Sequence, residues 1–532
     1  MISFLREHWP IFVVTAISAF VVILYGHFFF PGFYGLSDAC DYSDLGRNIA
    51  EGRGFVNHNI YPLSLCFPFL RELPQPTPLW PPGYPLILAG AFKLFAPSDA
   101  TVLWLNTILL LLTVPLVYVL GLHFYNRRVA SLAALFFGAS QFVLYLLIIA
   151  NSEIVATFLF TVFLLLLLKG RRTFSYLIAG LLLGILLLTR YPLIFIIPAI
   201  FIYLKKEGRF EFKRFVWLLI LPFLIVLPWL VRNYLAFGNP FFSLQNYGEV
   251  SKATTAFSDY YYTYRSLEPQ PFFSLIFSYP LFFLRKVAAG ILMYIREVPE
   301  VLNLYLFFFF LLSFFNLKKG DEKVVHFRIL IVSLFLFYVL FHSVFGPYIR
   351  HLAFLLPGMM VIASANLLDL WSKLNLKEGY KRFLFPLLIL FLLVPTKTPE
   401  RERYFLERKL DHLTVVKHCE EIKDFLDQES VVASDVSDAL GWYARAPAMW
   451  FPVDYKNFLA ADSIILIGGI YLQKGLDSEW IGDHRDDPEE ITILDGTYFL
   501  VKDFESGAVF YKKVSKQQSG IECTASGVCP LR

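Results

Sequence analysis

The chain is dominated by apolar runs long enough to cross a membrane. A transmembrane helix needs about 20 predominantly apolar residues, and the runs at 11–30 and 101–122 both reach that length. Of the 532 residues, 57% are hydrophobic and only 17% are charged, which is not the composition of a soluble domain. The sequence therefore predicts a polytopic membrane protein. Nucleic acid is not expected as a partner, because no basic stripe stands apart from the loops.

Short clusters of lysine and arginine predict the topology, since cytoplasmic loops carry an excess of these residues. The clusters are Arg6; Arg127 and Arg128; Lys169, Arg171 and Arg172; Lys205, Lys206, Arg209, Lys213 and Arg214; Lys318, Lys319 and Lys323; and Lys373, Lys377, Lys381 and Arg382. Between clusters the chain must cross the membrane an even number of times, which predicts about eleven helices with the N-terminus in the cytoplasm. The predicted spans are 10–30, 101–124, 129–148, 154–168, 173–189, 191–204, 215–234, 300–317, 327–345, 352–370 and 383–396.

This topology predicts a mainly α membrane domain at 1–396 and a small extracytoplasmic α/β domain at 397–532. The membrane domain carries two large outer loops, 31–99 and 236–299. Loop 31–99 includes an apolar stretch that begins Pro-Pro-Gly-Tyr-Pro and is too short to span, so we expect it to lie in the membrane interface. Residues 397–532 alternate apolar runs of strand length with helical pieces, which is typical of an α/β domain.

Three aspartates follow the first predicted span within seven positions: Asp38, Asp41 and Asp44. On a helix, Asp41 and Asp44 share one face, which we expect to be solvated. Asp38 lies on the side of Tyr42, which we expect to pack toward the membrane domain. An inward carboxylate beside apolar surface is a good proton acceptor; the alternative is that Asp38 only caps the helix.

All five cysteines fall in predicted outer segments, where disulfides can form. Cys40 with Cys66, and Cys523 with Cys529, are the candidate pairs, which leaves Cys419 over. Free thiols are the alternative. No cysteine has metal-ligand spacing with histidines.

Short motifs follow one another along nearly the whole chain. They are Asp38-x-x-x-Tyr42 with Arg-Asn-Ile-Ala-Glu-Gly-Arg-Gly-Phe at 47–55, Trp-Pro-Pro-Gly-Tyr-Pro at 80–85, Ala150-Asn-Ser-Glu153, Leu-Thr-Arg190-Tyr-Pro, Pro-Trp-Leu-Val-Arg232-Asn233-Tyr, Tyr348-Ile-Arg350-His351, and Trp442-Tyr-Ala-Arg-Ala-Pro. In this order they resemble the GT-C membrane glycosyltransferases. The bacterial branch related to protein O-mannosyltransferases and to the aminoarabinose transferases of lipid A is the most similar.

The resemblance implies inverting transfer of a sugar from a polyprenyl-phosphate donor to an acceptor hydroxyl of a glycolipid, glycan or protein. Asp38 matches the family's catalytic aspartate and would be the general base. The donor phosphate would be bound by Arg190, Arg350 and His351, since guanidinium matches phosphate geometry. Glu153 would lie near the acceptor or a metal ion. The structural alternatives are an ordinary turn acid for Glu153 and a snorkelling side chain for Arg190.

Further candidates in the same motifs are Asp41, beside the acceptor or a metal, and Arg232, Asn233, Tyr42 and Tyr84. No ligand spacing identifies a metal, so a divalent ion stays open as a cofactor. The expected location is the inner (plasma) membrane, with the active site and the C-terminal domain on the extracytoplasmic side.

Other classes of membrane protein remain as alternatives. A transporter or flippase of lipid-linked sugars would be expected to place charged residues in mid-helix and to show repeat symmetry, and neither is evident. A polysaccharide polymerase or ligase would rely on arginines without the first-loop acid. A non-catalytic anchor would need only one or a few spans.

Overall fold

The structure is a computed structural model, and it describes residues 2–29, 36–170, 172–248, 261–317, 320–346, 348–393, 411–426, 430–475, 479–481, 490–493 and 496–514. The chain forms two compact units. Unit 1 consists of Met1–Tyr34, Pro81–Arg232 and Leu281–Phe405. Unit 2 consists of Gly35–Trp80, Asn233–Pro280 and Leu406–Arg532. Unit 2 therefore combines two segments of the predicted outer loops with the C-terminal part of the chain.

Most described residues are helical. The α-helices are α1 (Ile2–Ile23), α2 (Leu36–Ala50), α3 (Gly83–Leu94), α4 (Asp99–Phe124), α5 (Arg127–Gly138), α6 (Gln141–Ile148), α7 (Glu153–Lys169), α8 (Thr173–Thr189), α9 (Ile197–Lys206), α10 (Phe212–Phe237), α11 (Gln245–Gly248), α12 (Tyr262–Arg265), α13 (Phe272–Ser278), α14 (Pro280–Leu302), α15 (Leu304–Phe315), α16 (Glu322–Val344), α17 (Leu356–Lys373), α18 (Glu378–Leu393), α19 (411–422), α20 (Ser437–Ala439) and α21 (Tyr455–Asp462). Shorter 3₁₀ and π segments are Leu24–Phe29, Pro62–Cys66, Pro68–Leu70, Tyr191–Ile196, Ile349–Leu355, Lys423–Phe425 and Leu440–Ala444.

Several described helices are long and apolar enough to span a membrane. Five qualify by length and composition: Trp9–His27, α4, α10, α16 and Ile349–Lys373. The number reaches seven if the bent pairs α5–α6 and α13–α14 each count as one span. The predicted spans at 154–168 and 173–189 are helices of 17 residues, at the lower limit for a span. The chain is a multi-pass membrane protein, and the count of eleven spans stays a prediction.

Local sequence signals explain where the helices of unit 1 begin. The side chain of Ser98 accepts a hydrogen bond from the backbone nitrogen of Thr101 at the start of α4. Asn126 caps α5 in the same way by accepting from the backbone nitrogens of Arg128 and Val129. Such side chains satisfy amides that lack an intrahelical partner. Apolar faces of these helices, with those of α7, α8, α16 and α17, form one continuous core.

Unit 2 is built on a seven-stranded mixed sheet. The strands of the unit are β1 (Val56–Asn57), β2 (Asn59–Ile60), β3 (Gln75–Pro76), β4 (Val431–Ser434), β5 (Ala448–Trp450), β6 (Ile467–Leu472), β7 (Glu490–Ile493), β8 (Gly496–Asp503) and β9 (Val509–Val514). The order is β2-β5-β4-β6-β9-β8-β7, parallel from β2 to β6 and antiparallel beyond it.

The parallel part of the sheet joins two distant parts of the sequence. Helical crossovers connect its C-terminal strands, with α20 between β4 and β5 and α21 between β5 and β6, as parallel pairing requires. The edge strand β2 comes from the first outer segment, and Ile60 lies beside Met449 of β5. Both side chains are buried in the core beneath the sheet. The two-residue strand β2 thus ties the segment that carries α2 to the C-terminal sheet.

The predicted pairing of Cys40 with Cys66 is wrong, because both residues are thiols in the structure. Cys40 is completely buried on α2, whereas Cys66 is only partly buried at the end of a 3₁₀ helix. The two side chains therefore face different surroundings. Cys419 is also a buried thiol. The predicted pair Cys523–Cys529 lies outside the described residues.

Candidate active site

The acidic helix α2 belongs to unit 2. Asp38 lies in its first turn, where the positive end of the helix dipole favours a carboxylate. The side chain is partly buried, and its charge contributes to raising the pKa of Asp438. Asp38 is thus partly shielded from solvent, and it lies close enough to Asp438 for the two acidic side chains to interact.

Asp41 is enclosed by hydrogen-bond donors. The side-chain amides of Asn57 and Asn59 donate to Oδ1 over 3.1 and 2.9 Å. The Tyr61 hydroxyl and the Trp80 indole nitrogen donate to Oδ2 over 2.8 and 2.9 Å. Burial raises the pKa of Asp41 to about 6, and the four hydrogen bonds limit that rise. Each carboxylate oxygen of Asp41 thus accepts two hydrogen bonds. These bonds hold residues 57–61 and Trp80 against α2.

Asp44 forms a buried ion pair with Arg47 one turn further along α2. It also accepts hydrogen bonds from the backbone nitrogen of His58 at 2.9 Å and from the side-chain amide of Asn48 at 3.2 Å. The Nδ1 atom of His58 lies 2.9 Å from the same carboxylate. Asp44 is therefore a structural acid in the interior of unit 2.

Arg47 connects α2 to the C-terminal segment. Its Nη1 atom donates to the carbonyl oxygen of Trp442 over 2.6 Å, and Nη2 donates to that of Gly441 over 2.8 Å. The guanidinium also lies 4.7 Å from the centre of the Trp442 ring. Arg47 and Trp442 belong to two of the predicted motifs, and the structure shows that these motifs contact each other.

The prediction that Asp41 and Asp44 are solvated is wrong, since each is only 1% exposed. Helical periodicity identified their shared face correctly. However, residues 57–61 and the turn at 440–444 cover that face, and the periodicity of one helix contains no information about such distant segments. Tyr42, on the other side, is also buried, with its ring 4.7 Å from that of Trp80.

Asp438 is a feature that the sequence reasoning missed. It lies on α20, and its Oδ2 atom is buried with no hydrogen-bond partner among the described residues. Burial raises its pKa to about 8, and the charges of Asp41 and Asp38 add to the rise. A carboxyl of this kind is largely protonated at pH 7. Asp438 lies about 400 residues from the three aspartates at 38–44, and no motif in the sequence connects it with them.

In unit 1, the Ala150–Glu153 motif forms a tight turn between α6 and α7. Ala150 has a φ of +50°, in the left-handed region that costs energy for a residue with a side chain. Tyr84 braces the turn by donating its hydroxyl to the carbonyl oxygen of Ala150 over 2.9 Å, and the Asn106 amide donates to Tyr84 over 2.8 Å. This bracing fixes where α7 begins, and therefore where Glu153 lies.

Gly83 explains another part of the Pro-Pro-Gly-Tyr-Pro motif. A Cβ atom at Gly83 would lie 2.7 Å from the backbone nitrogen of Thr189, at the end of α8. Only glycine permits this approach. The next residue along the chain is Arg190, so the motif positions both Glu153, through Tyr84, and Arg190, through Gly83.

Glu153 brings two distant arginines together. Its Oε1 atom lies 2.8 Å from Nη1 of Arg190 and 3.3 Å from Nε of Arg350. Arg190 also donates to the hydroxyl of Ser152 over 3.2 Å. Glu153 is only 2% exposed, and its Oε2 atom is buried with no hydrogen-bond partner among the described residues. The charges of these three side chains sum to +1 in a largely buried place.

His351 lies next to this cluster in the chain, on the 3₁₀ helix Ile349–Leu355. Its Nδ1 atom is 2.6 Å from Nε2 of His342, on α16. The Tyr348 ring contacts both neighbours, at 5.3 Å from the Arg350 guanidinium carbon and 5.2 Å from the His351 ring. His351 is thus part of a side-chain network that includes Arg350.

Arg232 and Asn233, near the end of α10, occupy a different setting. The Arg232 guanidinium carbon lies 4.8 Å from the centre of the Trp229 ring, and the Trp229 indole donates to Tyr191 over 2.6 Å. The Asn233 amide donates to the carbonyl oxygen of Pro240 over 3.3 Å. These contacts suit the anchoring of a helix end.

The predicted site residues therefore fall into two groups. Asp38 and Asp41 belong to unit 2, whereas Glu153, Arg190, Arg350 and His351 belong to unit 1. Within the part of the chain that the structure describes, no three His, Cys, Asp or Glu side chains are arranged to hold a metal ion.

Comparisons with known proteins agree with the motifs. Residues 80–231 match the family model of dolichyl-phosphate-mannose-protein mannosyltransferase, and this region includes Tyr84, Glu153 and Arg190. No curated protein sequence matches the chain.

Solved structures match over most of the chain. ArnT from Cupriavidus metallidurans bound to undecaprenyl phosphate has a TM-score of 0.60 at 11% identity, covering 99% of this chain and 100% of that one. The apo form of ArnT gives 0.56 at 11% identity over 95% and 98%. The oligosaccharyltransferase of Archaeoglobus fulgidus tethered to an acceptor peptide gives 0.53 at 14% identity over 88% and 69%.

These matches define the class of fold. The chain has the GT-C fold of membrane glycosyltransferases, and the resemblance inferred from the short motifs is confirmed. At identities of 11–14% the likeness establishes the fold alone.

Proposed function

We propose that this protein transfers a sugar, with inversion, from a polyprenyl-phosphate-linked donor to an acceptor hydroxyl. The cluster of Glu153, Arg190 and Arg350 carries this proposal, because two partly buried arginines held by one buried carboxylate form a site suited to an anion. A charged residue in a membrane domain is costly and usually functional. Each arginine contacts the same oxygen of Glu153 through one nitrogen atom. Its other N–H groups can therefore donate hydrogen bonds to a phosphate.

The leaving group is the polyprenyl phosphate. Its tail stays in the bilayer, so the bond between the anomeric carbon and the phosphate oxygen breaks at the membrane interface. Negative charge grows on the phosphate as that bond breaks, and fixed guanidinium donors stabilise it most in the transition state. Glu153 holds both arginines in place before the donor binds, which limits reorganisation during the reaction.

Asp38 is proposed as the general base. The acceptor hydroxyl loses its proton as its oxygen attacks the anomeric carbon, and a partly buried carboxylate is suited to take that proton. Among the three aspartates at 38–44, Asp41 and Asp44 are each only 1% exposed, whereas Asp38 is partly exposed and can be reached by an acceptor. Asp38 is also the position that the family resemblance marks.

The known structures support a lipid-linked donor. The ArnT structure contains undecaprenyl phosphate, and the archaeal oligosaccharyltransferase structure contains an acceptor peptide. By analogy, the donor of this protein is a polyprenyl-linked sugar, and the acceptor is a glycolipid, glycan or protein. We propose an inner-membrane location with the site on the extracytoplasmic side, where cytosolic nucleotide sugars are absent.

The test compares classes of donor. Purified protein in detergent is incubated with a radiolabelled sugar on polyprenyl phosphate, or with the same sugar on a nucleotide, and a mixture of envelope glycolipids is supplied as acceptor. We expect label to reach the acceptor only from the lipid-linked donor. Transfer from the nucleotide sugar alone would refute the proposal.

Replacing Arg190 or Arg350 by lysine is expected to reduce transfer by about 10²-fold, as removal of a transition-state donor does. Lysine keeps the charge but loses the planar fork that binds two oxygens at once. Initial rates and thermal unfolding are measured together, because the effect should appear in turnover more than in stability. Arg296→Lys, at an exposed arginine of α14, is the matched control. Normal rates in both variants would place the phosphate elsewhere.

A further inference from the structure

A chain of hydrogen bonds in unit 1 includes His351. Tyr294 on α14, His342 in the last turn of α16 and His351 are its members. The Tyr294 hydroxyl donates to the carbonyl oxygen of Tyr348 over 3.2 Å and lies 3.1 Å from Nδ1 of His342. Nε2 of His342 lies 2.6 Å from Nδ1 of His351. Tyr294 and His342 are buried, so these contacts are formed away from water.

These contacts favour one arrangement of the protons, because the carbonyl oxygen of Tyr348 can only accept. A phenol has a single proton, and Tyr294 donates it to Tyr348, so its oxygen accepts from the Nδ1–H of His342. A neutral imidazole with its proton on Nδ1 carries a lone pair on Nε2. That lone pair accepts the Nδ1–H of His351. The Nε2 atom of neutral His351 is then the atom that gains a proton when the residue is protonated.

This chain lies beside the cluster of arginines. His351 follows Arg350 directly, the Tyr348 ring contacts both side chains, and Arg350 pairs with Glu153. A phosphate held by Arg350 would therefore be bound close to the His351 ring. The ordinary pKa of imidazole is about 6.5 and the second pKa of a phosphate monoester is about 6, so a proton passes readily between them.

We propose that Tyr294 and His342 are positioning residues that hold His351 in the Nδ1–H form, so that its Nε2 delivers a proton to the leaving phosphate. This rests on the proposed glycosyl transfer. The bond from the anomeric carbon to the phosphate oxygen breaks, and its electron pair stays on that oxygen, which takes the proton from Nε2. The acceptor oxygen bonds to the anomeric carbon and gives its own proton to the general base. Water then takes the proton from the base and restores one to His351.

The first experiment reads the tautomer directly and does not require activity. Protein labelled with ¹⁵N-histidine is studied by NMR in lipid at a pH where His351 is neutral, and His351→Gln assigns the signal. We expect a protonated Nδ1 and an unprotonated Nε2 in the wild type, and a mixture of tautomers in His342→Leu. A wild-type His351 with its proton on Nε2 would overturn the proposal.

The second experiment compares variants in transfer from a polyprenyl-linked donor. His342→Leu should lower kcat by about 10²-fold, as loss of a general acid does, with little change in KM. His342→Gln, whose amide oxygen can still accept from His351, should recover much of that loss. His326→Gln, at the other end of α16, is the control and should be active. Equal kcat for His342→Leu and wild type would refute the role in proton delivery.

The two experiments separate the two proposals. One outcome is the expected tautomer in a protein that transfers no sugar from any lipid-linked donor. In that case the proposed function is wrong, and so is the proposal that His351 delivers its proton to the leaving phosphate. The positioning of His351 by His342 would stand in that case. If transfer occurs and the tautomer is the opposite one, the proposed function stands and this inference fails.

Discussion

Asp38→Asn is expected to lower the rate of sugar transfer by about 10²–10⁴-fold, the usual effect of removing a positioned general base. Asparagine keeps the size and much of the hydrogen bonding of aspartate but cannot take a proton as a carboxylate does. Since Asp38 lies in the first turn of α2 and is partly exposed, the fold should tolerate the change. Initial rates with a polyprenyl-linked donor measure the first effect, and thermal unfolding measures the second.

Two further variants serve as controls, one at a more exposed acid near α2 and one at a buried acid of α2. Glu51→Gln removes a partly exposed acid that follows α2 and should transfer sugar normally. Asp41→Asn should destabilise the protein, because its amide nitrogen would face donors from Asn57, Asn59, Tyr61 or Trp80. Leaving such buried groups unsatisfied costs about 1–3 kcal/mol each. An active Asp38→Asn beside a folded but inactive Asp41→Asn would instead assign the base to Asp41.

Arg47→Met is expected to destabilise unit 2 by about 3–5 kcal/mol, the usual cost of removing one partner of a buried ion pair. The change leaves Asp44 without its arginine and removes the donors to the carbonyl oxygens of Gly441 and Trp442. The segment that carries Asp38 would then lose a buried polar connection to the C-terminal segment. A lower thermal unfolding midpoint and faster proteolysis near 440–444 are the expected results.

The matched control for Arg47 is six residues away. Arg53 pairs with Glu51 at the surface, with about 40% of its side chain exposed, and exposed pairs contribute about 0–1 kcal/mol. Arg53→Met should therefore leave the unfolding midpoint almost unchanged. Equal midpoints for the two variants would mean that Arg47 does not anchor α2.

The membrane character and the class of fold could be predicted from the sequence. Apolar runs of about 20 residues have few structural solutions, because every backbone polar group in lipid must be bonded within the protein. The motif order predicted the GT-C fold, which the structural matches confirm. The predicted bounds 154–168 and 173–189 agree with α7 and α8 to within one residue. The number of spans was harder to predict, because helices of 17 residues lie at the lower limit of length for a span.

The site was partly predictable. The sequence predicted a phosphate-binding role for Arg190 and Arg350 and a separate role for Glu153 near the acceptor or a metal ion. The structure brings the three side chains together. It did not predict the buried state of Asp41 and Asp44, the nearby carboxyl of Asp438, or the contact of His342 with His351. All three depend on which side chains from distant segments cover a given face.

The sequence by itself determined what can be read within one segment: hydrophobic length, helical faces, caps and motif residues. These depend on neighbours a few residues away, which the sequence displays directly. Only the tertiary structure decided that β2 joins the edge of the C-terminal sheet and that the acidic face of α2 is covered. The physical reason is that burial and hydrogen bonding of a side chain depend on residues up to about 400 positions away, such as Arg47 and Trp442.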